Sequence, residues 1–504
     1  MNSRKILRRA LNYGVMIHRY LGIVFGVVIL LWCLSGFVMM FVQYPSLTSQ
    51  ERYSYMSPLS LNLCCGALDI STNDLHQFES FTLRQTSSGP LLKLINDDET
   101  YFFDAISGTL KTPATSLTRL SSAEQIASNL GIVGVQSLGL VDVDQWSIIP
   151  SVAKNGPFEI FQLDDSDQSR LYFSQGTGEL VHQVTFIERT WGWVGSVIHW
   201  IYPTVIRSNT ELWVQLVIWL SAISLFMVLV GAFIGITRLR NKGGWRKSPY
   251  EGRFLWHHYS SLFTGVLMLT WLFSGLMSMS PWGLMEGRSF AEEEYNLKGP
   301  GFSLTPKLQT AFENLHTLDI PNTTVEVKGV MVAGFLNVTA TDSHGKRTLI
   351  RRIVIDDYTD NKFPSPDDLA ARMRPSAIIS SVDFLTSGDS YYYSHHNKRN
   401  FPVYRIIYED SERIYLDGLS LDLAAVFDSG RKTKRWLYLG LHRGDFFPQL
   451  NGGLLWYFSW GGLLLLMTSA VGIACWLAFR YWQNLLVKKT TVIRQNQGSK
   501  LIQH

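Results

Sequence analysis

Four stretches of this 504-residue chain contain no charged side chain over at least 20 residues. A helix needs about 20 mostly apolar residues to cross the hydrocarbon core of a bilayer, which is roughly 30 Å thick. The chain is therefore predicted to be a membrane protein with four transmembrane helices. The uncharged stretches are 20–44, 212–237, 259–285 and 450–479.

Lysine and arginine are concentrated in the N-terminus, in the connection between the second and third stretches, and in the C-terminal tail. Such an excess marks the cytoplasmic side of a membrane. We therefore expect both termini in the cytoplasm and two large connections outside it, in the periplasm of a bacterium. The lipid bilayer is the expected partner, and no nucleic-acid partner is expected. The small net charge of +4 says little about partners by itself.

Each large connection is predicted to be a mixed α+β lobe. A strand pattern covers 91–95 and 101–104, and Asp104 to Gly108 has the composition of a turn. Ser121 and Glu124 form a capping-box pattern that predicts a helix through residue 130, and Ser365-Pro366-x-Asp368 predicts another helix start. Further strands are predicted over 171–174, 351–356 and 413–417.

These patterns divide the chain into eleven segments. The expected cytoplasmic segments are 1–14, 238–253 and the basic tail 481–504; the spans are 15–44, 212–237, 254–281 and 452–480; the lobes are 45–188 and 282–434; the aromatic-rich interfacial helices are 189–205 and 435–447.

The spans carry a duplicated pattern. His18-x-x-x-Gly22-x-x-x-Gly26 matches His257-x-x-x-Ser261-x-x-x-Gly265 at an offset of 239, and a Trp-x-x-Ser-Gly motif follows in both copies. A second match, at an offset of 243, pairs Trp193, His199 and Trp213 with Trp436, His442 and Trp456. The chain is therefore predicted to contain a duplicated two-helix unit with two histidines in each copy.

The four histidines fall into two layers, one at each side of the membrane. A b-type haem takes one axial imidazole on each face, and residues i, i+4 and i+8 share one stripe of a helix. Small residues on such a stripe leave room for a flat macrocycle. We therefore predict two haem b groups, ligated by His18 with His257 and by His199 with His442, and packed against Gly22, Gly26, Ser261 and Gly265.

Other interpretations of the same residues stay open. Stripes of small residues also let membrane helices pack closely, and a single histidine at the end of a span is often an interfacial residue. His258 is an alternative to His257, although the spacing favours His257. No catalytic residue is assigned. A c-type haem is excluded because no Cys-x-x-Cys-His occurs among the four cysteines.

The second lobe contains a segment with aromatic, imidazole and cationic side chains. Its interpretation as a docking surface for an anionic or metal-chelate substrate competes with that of a solvated loop followed by a strand. The substrate-binding candidates are Tyr391, Tyr392, His395, His396 and Arg399.

Over about residues 10–485, the His-x-x-x-small-x-x-x-Gly span starts, the Ser-Gly pairs, the Trp-x5-His segments and the Asp104 turn resemble the PepSY-associated transmembrane family, often called iron-regulated membrane proteins. The closest functional type is the di-haem inner-membrane siderophore reductases. The resemblance implies PepSY-like periplasmic lobes and His18, His257, His199 and His442 as haem ligands. Two departures are Ser261, where glycine is more usual, and the adjacent Cys64 and Cys65, which have no family role.

The resemblance implies an electron-transfer protein that reduces a ferric siderophore or another Fe(III) chelate during iron acquisition. Because only a short basic tail follows the fourth span, we expect a separate electron donor: a quinol, a flavin or a partner reductase. Two alternatives remain, namely a non-redox PepSY-type regulator or inhibitor of a periplasmic protease, and an accessory protein for iron or siderophore uptake.

Overall fold

The computed structural model describes residues 3–61, 78–86, 89–95, 100–110, 115–241, 244–299, 315, 318–354, 363–394, 398–446 and 453–501. The chain divides into two compact units. The first, which we call the membrane unit, comprises 1–44, 190–285 and 433–504, and the second, the outer unit, comprises 45–189 and 286–432.

Four long helices build the membrane unit, and they confirm the four predicted spans. Helices 1 and 3 each pack against helices 2 and 4. Their shared core contains Ile29, Met227, Met268 and Met467, whereas large apolar side chains such as Phe458 remain exposed on the outside, as lipid contact requires. Helices 1 to 4 are Ser3–Met39, Thr210–Leu239, Gly252–Ser278 and Leu454–Leu501.

The long helices extend beyond the predicted spans on their basic sides. Helix 1 already begins at Ser3, and helix 4 continues to Leu501, so most of the expected segments 1–14 and 481–504 is helical rather than separate. The connection between helices 2 and 3 contains a short hairpin of two strands, Arg240–Asn241 and Gly244–Trp245. A helix does not have to end where its apolar residues end. Basic residues have good helix propensity and can continue it beyond the membrane surface.

The outer unit is built on a six-stranded antiparallel sheet to which both halves of the chain contribute. Strand β1, Ser80–Thr86, lies in the middle and pairs with β10, Thr324–Val332, so that Ser80 is opposite Val330. The sheet order is β12-β11-β10-β1-β2-β3. The remaining strands are β2, Gly89–Ile95, β3, Thr100–Asp104, β11, Phe335–Asp342, and β12, Arg347–Val354.

This sheet joins the two predicted lobes. The α+β class is confirmed, and the segments 45–188 and 282–434 both contribute strands to the sheet. Phe81 and Leu83 of β1 share a core with Val327 and Leu336 of the second segment. Because β1 pairs with β10, the strands of the two segments form one sheet and bury their apolar side chains in one core.

Two four-stranded meanders complete the outer unit, and each follows a helix. The helix Ser116–Asn129 precedes strands β4 to β7, and the helix Pro366–Met373 precedes strands β13 to β16. The first meander consists of β4, Val135–Val141, β5, Phe158–Leu163, β6, Arg170–Ser174, and β7, Leu180–Val184. The second consists of β13, Ile379–Leu385, β14, Val403–Tyr408, β15, Arg413–Asp417, and β16, Leu423–Phe427.

One of the two predicted helix starts is right and the other is wrong. Ser365 and Asp368 form the predicted capping box. Ser121 and Glu124 do not, because the helix already begins after Thr115, whose hydroxyl accepts a hydrogen bond from the Thr118 amide. A buried ion pair between Arg119 and Glu159 of β5 fixes this earlier turn, and sequence spacing alone gives no sign of that pair.

Short helices connect the outer unit to helices 2 and 4. In the segment expected over 189–205, the helix Phe186–Gly192 runs into a π-helical turn, Trp193–Val197, and the helix Thr204–Arg207 follows. In the segment expected over 435–447, a π-helical turn covers Arg435–Gly440 and a helical turn covers Leu441–Arg443. The duplication seen in the sequence thus extends to an unusual backbone conformation.

Candidate functional site

The membrane unit brings His18 of helix 1 and His257 of helix 3 face to face. Their ring centroids lie 6.4 Å apart and the ring planes differ by 26°. Two imidazoles that bind one metal ion from opposite sides have centroids about 6 Å apart, because each metal–nitrogen bond is about 2.0–2.1 Å long. The spacing of this inner pair therefore fits bis-imidazole coordination.

Helix 2 orients His18. The Nδ1 atom lies 3.1 Å from the carbonyl oxygen of Met227, and because a carbonyl oxygen only accepts, Nδ1 carries the proton. The lone pair is then on Nε2, the nitrogen that coordinates a metal. Gly231 makes this position possible, since a β-carbon there would lie 2.5 Å from Cε1 of His18.

His257 and its neighbour His258 have different surroundings. The Nδ1 atom of His257 lies 3.1 Å from the hydroxyl of Ser261, one turn along the same helix. Both ring nitrogens of His258 have partners: Nδ1 is 2.7 Å from the Ser248 hydroxyl, and Nε2 is 3.0 Å from the Gly235 carbonyl oxygen. His258 is therefore a buried structural residue in this geometry, and His257 is the histidine opposite His18.

The outer pair consists of His199 and His442, with ring centroids 6.0 Å apart and planes inclined by 62°. The Nδ1 atom of His199 lies 3.2 Å from both the Ser35 hydroxyl and the Trp32 carbonyl oxygen. Within the chain as described, no hydrogen bond involves Nε2 of His199. Helix 1 thus holds the ring in the tautomer that leaves Nε2 free.

Helix 3 supports His442 in the same way. The Ser274 hydroxyl lies 3.1 Å from Nδ1 of His442, and the backbone of Trp271 also hydrogen-bonds to this imidazole. The adjacent glycines give both rings clearance, since a β-carbon on Gly36 would lie 3.2 Å from Cε1 of His199 and one on Gly275 would lie 3.5 Å from Cε1 of His442.

The Trp-x-x-Ser-Gly motif therefore has a function that sequence reasoning missed. Its tryptophan backbone and its serine hydroxyl orient an outer histidine, and its glycine gives that histidine space. The repetition of the motif at the offset of 239 was the available signal. No comparable signal marks Met227 or Gly231, which contact His18 only because helices 1 and 2 pack together.

A π-helical turn precedes each outer histidine. The turns Trp193–Val197 and Arg435–Gly440 both end two residues before the histidine. A π turn adds one residue to a helical turn and changes the direction of the side chains that follow, and such turns are frequent at functional sites. Gly195 in the first turn lies against helix 1, where a β-carbon would be 3.1 Å from Val38.

The two pairs are separated along the helices. His18 and Ser35 are 17 residues apart in helix 1, as are His257 and Ser274 in helix 3. At a rise of 1.5 Å per residue, this corresponds to about 25 Å along each axis. The inner and outer pairs therefore lie near opposite ends of one helical bundle.

The donor set suits a haem better than a bare metal ion. Among the described residues, no group of three or more His, Cys, Asp and Glu side chains is placed to hold a metal, whereas a protein-bound zinc ion takes three or four protein ligands. Two imidazoles suffice when a macrocycle supplies the other four nitrogens. Beside the inner pair, β-carbons built on Gly22 and Gly265 meet no heavy atom of a described residue within 4 Å, and one on Gly26 meets Cys475 Sγ at 3.3 Å.

The candidate substrate segment of the outer unit is largely structural where it is described. Asp389 accepts hydrogen bonds from the backbone amides of Tyr391 and Tyr392 and from the Tyr415 hydroxyl. Tyr392 is buried and stacks on Tyr415. The structure brings exposed Arg399 over the Tyr392 ring at 5.1 Å. His395 and His396 lie outside the described residues, as do Cys64 and Cys65.

The comparison with curated proteins gives no match to this chain. A family model described as the PepSY-associated TM region matches residues 15–478. The match includes helices 2 and 3, parts of helices 1 and 4, the four paired histidines and the whole outer unit. By this match, the chain belongs to the PepSY-associated transmembrane family.

Proposed function

We propose that this protein binds two b-type haems and conducts electrons across the bacterial inner membrane to an Fe(III) chelate. His18 and His257 would hold the inner haem, and His199 and His442 the outer one. The observation that carries the proposal is the presence of two histidine pairs with centroid spacings of 6.4 and 6.0 Å near opposite ends of one helical bundle. Membership of the PepSY-associated transmembrane family supports it.

A bound haem supplies a reversible one-electron change between Fe(III) and Fe(II). The chain's own residues set the conditions for that change. Carbonyl oxygens of Met227 and Trp32 accept the Nδ1 protons of His18 and His199, which fixes the ring orientation and increases the basicity of Nε2. Gly22 and Gly265 leave an open stripe beside the inner pair.

The direction of transfer follows from the proposed topology. The arginines and lysines at both termini and between helices 2 and 3 support a cytoplasmic location for those segments. The inner pair then lies on the cytoplasmic side, and the outer pair and the outer unit on the periplasmic side. A quinol, a flavin or a partner reductase would supply electrons at the inner pair.

The proposed reaction is the one-electron reduction of a periplasmic ferric siderophore, in support of iron acquisition. One electron converts the chelated Fe(III) to Fe(II), and no bond to the protein forms or breaks. Hard oxygen ligands bind the less charged Fe(II) more weakly, so the chelate loosens. The protein's task is to orient the imidazoles and exclude water around them, which requires no nucleophile or general base.

The test is an absorption spectrum of the detergent-purified protein, oxidised and then reduced with dithionite. We expect low-spin b-haem bands and a haem content of two per chain. His18→Ala and His199→Ala should each remove one haem, whereas His258→Ala should retain both. Reoxidation of the reduced protein by a ferric siderophore, added after removal of dithionite, would support the reductase activity.

Two results would redirect the proposal. Purified protein without haem, after expression with ample iron and haem precursor, would overturn electron transfer and favour a PepSY-type regulator or inhibitor of a periplasmic protease. Protein with two haems whose reduced form is not reoxidised by Fe(III) chelates would retain the electron conduit and exclude the reductase activity.

A further inference from the structure

The outer unit contains a cavity of about 100 Å³ that none of the haem chemistry uses. Its walls come from the short helix Ser49–Tyr55, from β1 and β2, from the helix Ser116–Asn129, and from the turn before β7. The side chains of Leu91, Ile126 and Phe173 form an apolar part of the wall. Three cationic side chains form a charged part of the wall: Arg52, Arg84 and Lys93.

Two of the three cations are already paired. Arg84 contacts Glu179 at 2.6 Å and Glu326 at 2.7 Å, and Lys93 contacts Glu179 at 3.2 Å. These two carboxylates balance Arg84 and Lys93. Three cations face these two carboxylates, so the cluster of five side chains carries one net positive charge.

Arg52 is partly buried. Its Nε atom is buried without an acceptor, and across the residues that the structure describes its guanidinium forms no ion pair or hydrogen bond. Burial, and next the nearby positive charge of Arg84, lower the pKa of Arg52. A buried donor without an acceptor is costly, so the Nε atom of Arg52 fits a site in which a ligand supplies the acceptor.

The shape and chemistry of the wall narrow the class of ligand. A planar guanidinium binds a carboxylate through two parallel hydrogen bonds, and the apolar wall formed by Leu91, Ile126 and Phe173 suits a hydrocarbon or aromatic body. We propose that this cavity binds a small organic carboxylate, with its carboxylate on Arg52 and its apolar body against that wall. The proposal does not depend on haem binding or on electron transfer.

Benzoate, benzamide and benzamidine are suitable probes because they share one shape and carry charges of −1, 0 and +1. Binding would be measured by equilibrium dialysis against the full chain in lipid nanodiscs, with empty nanodiscs as the control for partitioning. We expect benzoate to bind at one site per chain, benzamide to bind at least about tenfold more weakly, and benzamidine not to bind.

Matched variants test the role assigned to Arg52. Arg52→Gln should weaken benzoate binding by at least about tenfold, and Arg52→Lys should weaken it less, because a charge remains without the planar fork. Arg351→Gln, an exposed arginine on β12 outside the cavity, should leave binding unchanged. Because the guanidinium of Arg52 forms no hydrogen bond or ion pair with any described residue, Arg52→Gln should also leave the unfolding temperature of the ligand-free protein unchanged or higher.

Equal binding of benzoate and benzamide, no saturable binding of benzoate at millimolar concentration, or equal benzoate binding by Arg52→Gln would each overturn the proposal. The comparison of the three probes uses the unmodified chain, so it decides the question even where a variant does not fold. A negative result here leaves the haem content untouched, and a protein without haem leaves this binding test intact.

Discussion

Gly231 of helix 2 lies directly against the imidazole of His18, where a β-carbon would come within 2.5 Å of Cε1. Gly231→Ala should therefore displace His18 and remove the inner haem while the outer haem remains. Haem content per chain, measured on the purified variant, checks this. Gly472→Ala is the matched control, because a β-carbon on Gly472 in helix 4 meets no heavy atom within 4 Å in the described part of the chain. Two haems in Gly231→Ala would contradict His18 as a ligand.

A larger side chain on the open stripe should exclude haem without disturbing the helices. Gly22 has no heavy atom within 4 Å of a built β-carbon, so Gly22→Leu should fold normally and lose the inner haem. Gly462→Leu offers the same open surroundings on an exposed part of helix 4 and should retain both haems. Circular dichroism establishes the helix content of the two variants, and retention of the inner haem in Gly22→Leu would count against the stripe as a packing surface.

The serines of the duplicated motif should affect the midpoint potential of the outer haem but not its retention. In Ser35→Ala, His199 keeps the carbonyl of Trp32 but loses the hydroxyl at 3.2 Å. The imidazole becomes less basic and stabilises Fe(III) less, so the midpoint potential should rise. A tenfold change in the equilibrium constant between Fe(III) and Fe(II) corresponds to about 59 mV for one electron. We expect a shift of some tens of millivolts.

Potentiometric titration of the reduced bands measures that shift. Ser469→Ala is the control, since this exposed serine of helix 4 donates its hydrogen bond to the carbonyl of Leu465 in its own helix. An unchanged potential in both Ser35→Ala and Ser274→Ala would show that the hydroxyls do not act on the ligands.

Removal of one partner of the buried ion pair in the outer unit should strongly destabilise that unit. Arg119 and Glu159 are 2.7 Å apart with side-chain exposures of 4% and 7%. Arg119→Met leaves a buried carboxylate without its cation and should cost about 3–5 kcal/mol. Lys328→Met removes one partner of a more exposed pair with Asp422 and should cost at most about 1 kcal/mol. Hydrogen exchange of strands β5 and β6 measures the free energy of opening in both variants.

Acidification should destabilise the outer unit through His182. Burial lowers the pKa of this residue from 6.5 to about 4, against a smaller opposing effect of Asp144. Between these values the unfolded chain binds a proton that the folded unit does not, so stability falls as the pH falls, by about 1.4 kcal/mol per pH unit at most. The loss begins near pH 6.5 and is complete below about pH 4.

His182→Phe should remove this part of the pH dependence, whereas His344→Gln, at an exposed position, should not. Unfolding by denaturant at pH 7 and pH 5, followed by the signal of the outer unit, provides the measurement. Identical pH slopes for the unmodified chain and His182→Phe would rule out His182 as the source.

Local and repeated patterns made part of this molecule predictable. The four spans followed from uncharged stretches, because a single apolar segment of about 20 residues can cross a bilayer as a helix whose backbone hydrogen bonds are all internal. The pairing of His18 with His257 followed from a repeat that places equivalent residues on equivalent helices. The roles of Gly231 and Met227 did not follow, because they depend on which face of helix 2 meets helix 1.

In the outer unit, features that depend on contacts between distant segments could not be predicted from the sequence. The strands around 91–95 and 101–104 were recognisable from their composition, but the partner of β1 was not, since many apolar strands could cover the same face. The start of the helix at Ser116 depends on a contact between Arg119 and β5. The π turns before His199 and His442 depend on how the chain must bend to present those rings.

The pairing of β1 with β10 constrains the order of events during synthesis and folding of this protein. Strands β1 to β3 leave the ribosome long before β10 to β12 exist, and until then β1 has a free edge that can pair with any extended chain. Helices 2 and 3 must insert before that edge finds its partner. The first half of the outer unit therefore has an exposed strand edge, and with it a risk of aggregation, until β10 has been synthesised and has paired with β1.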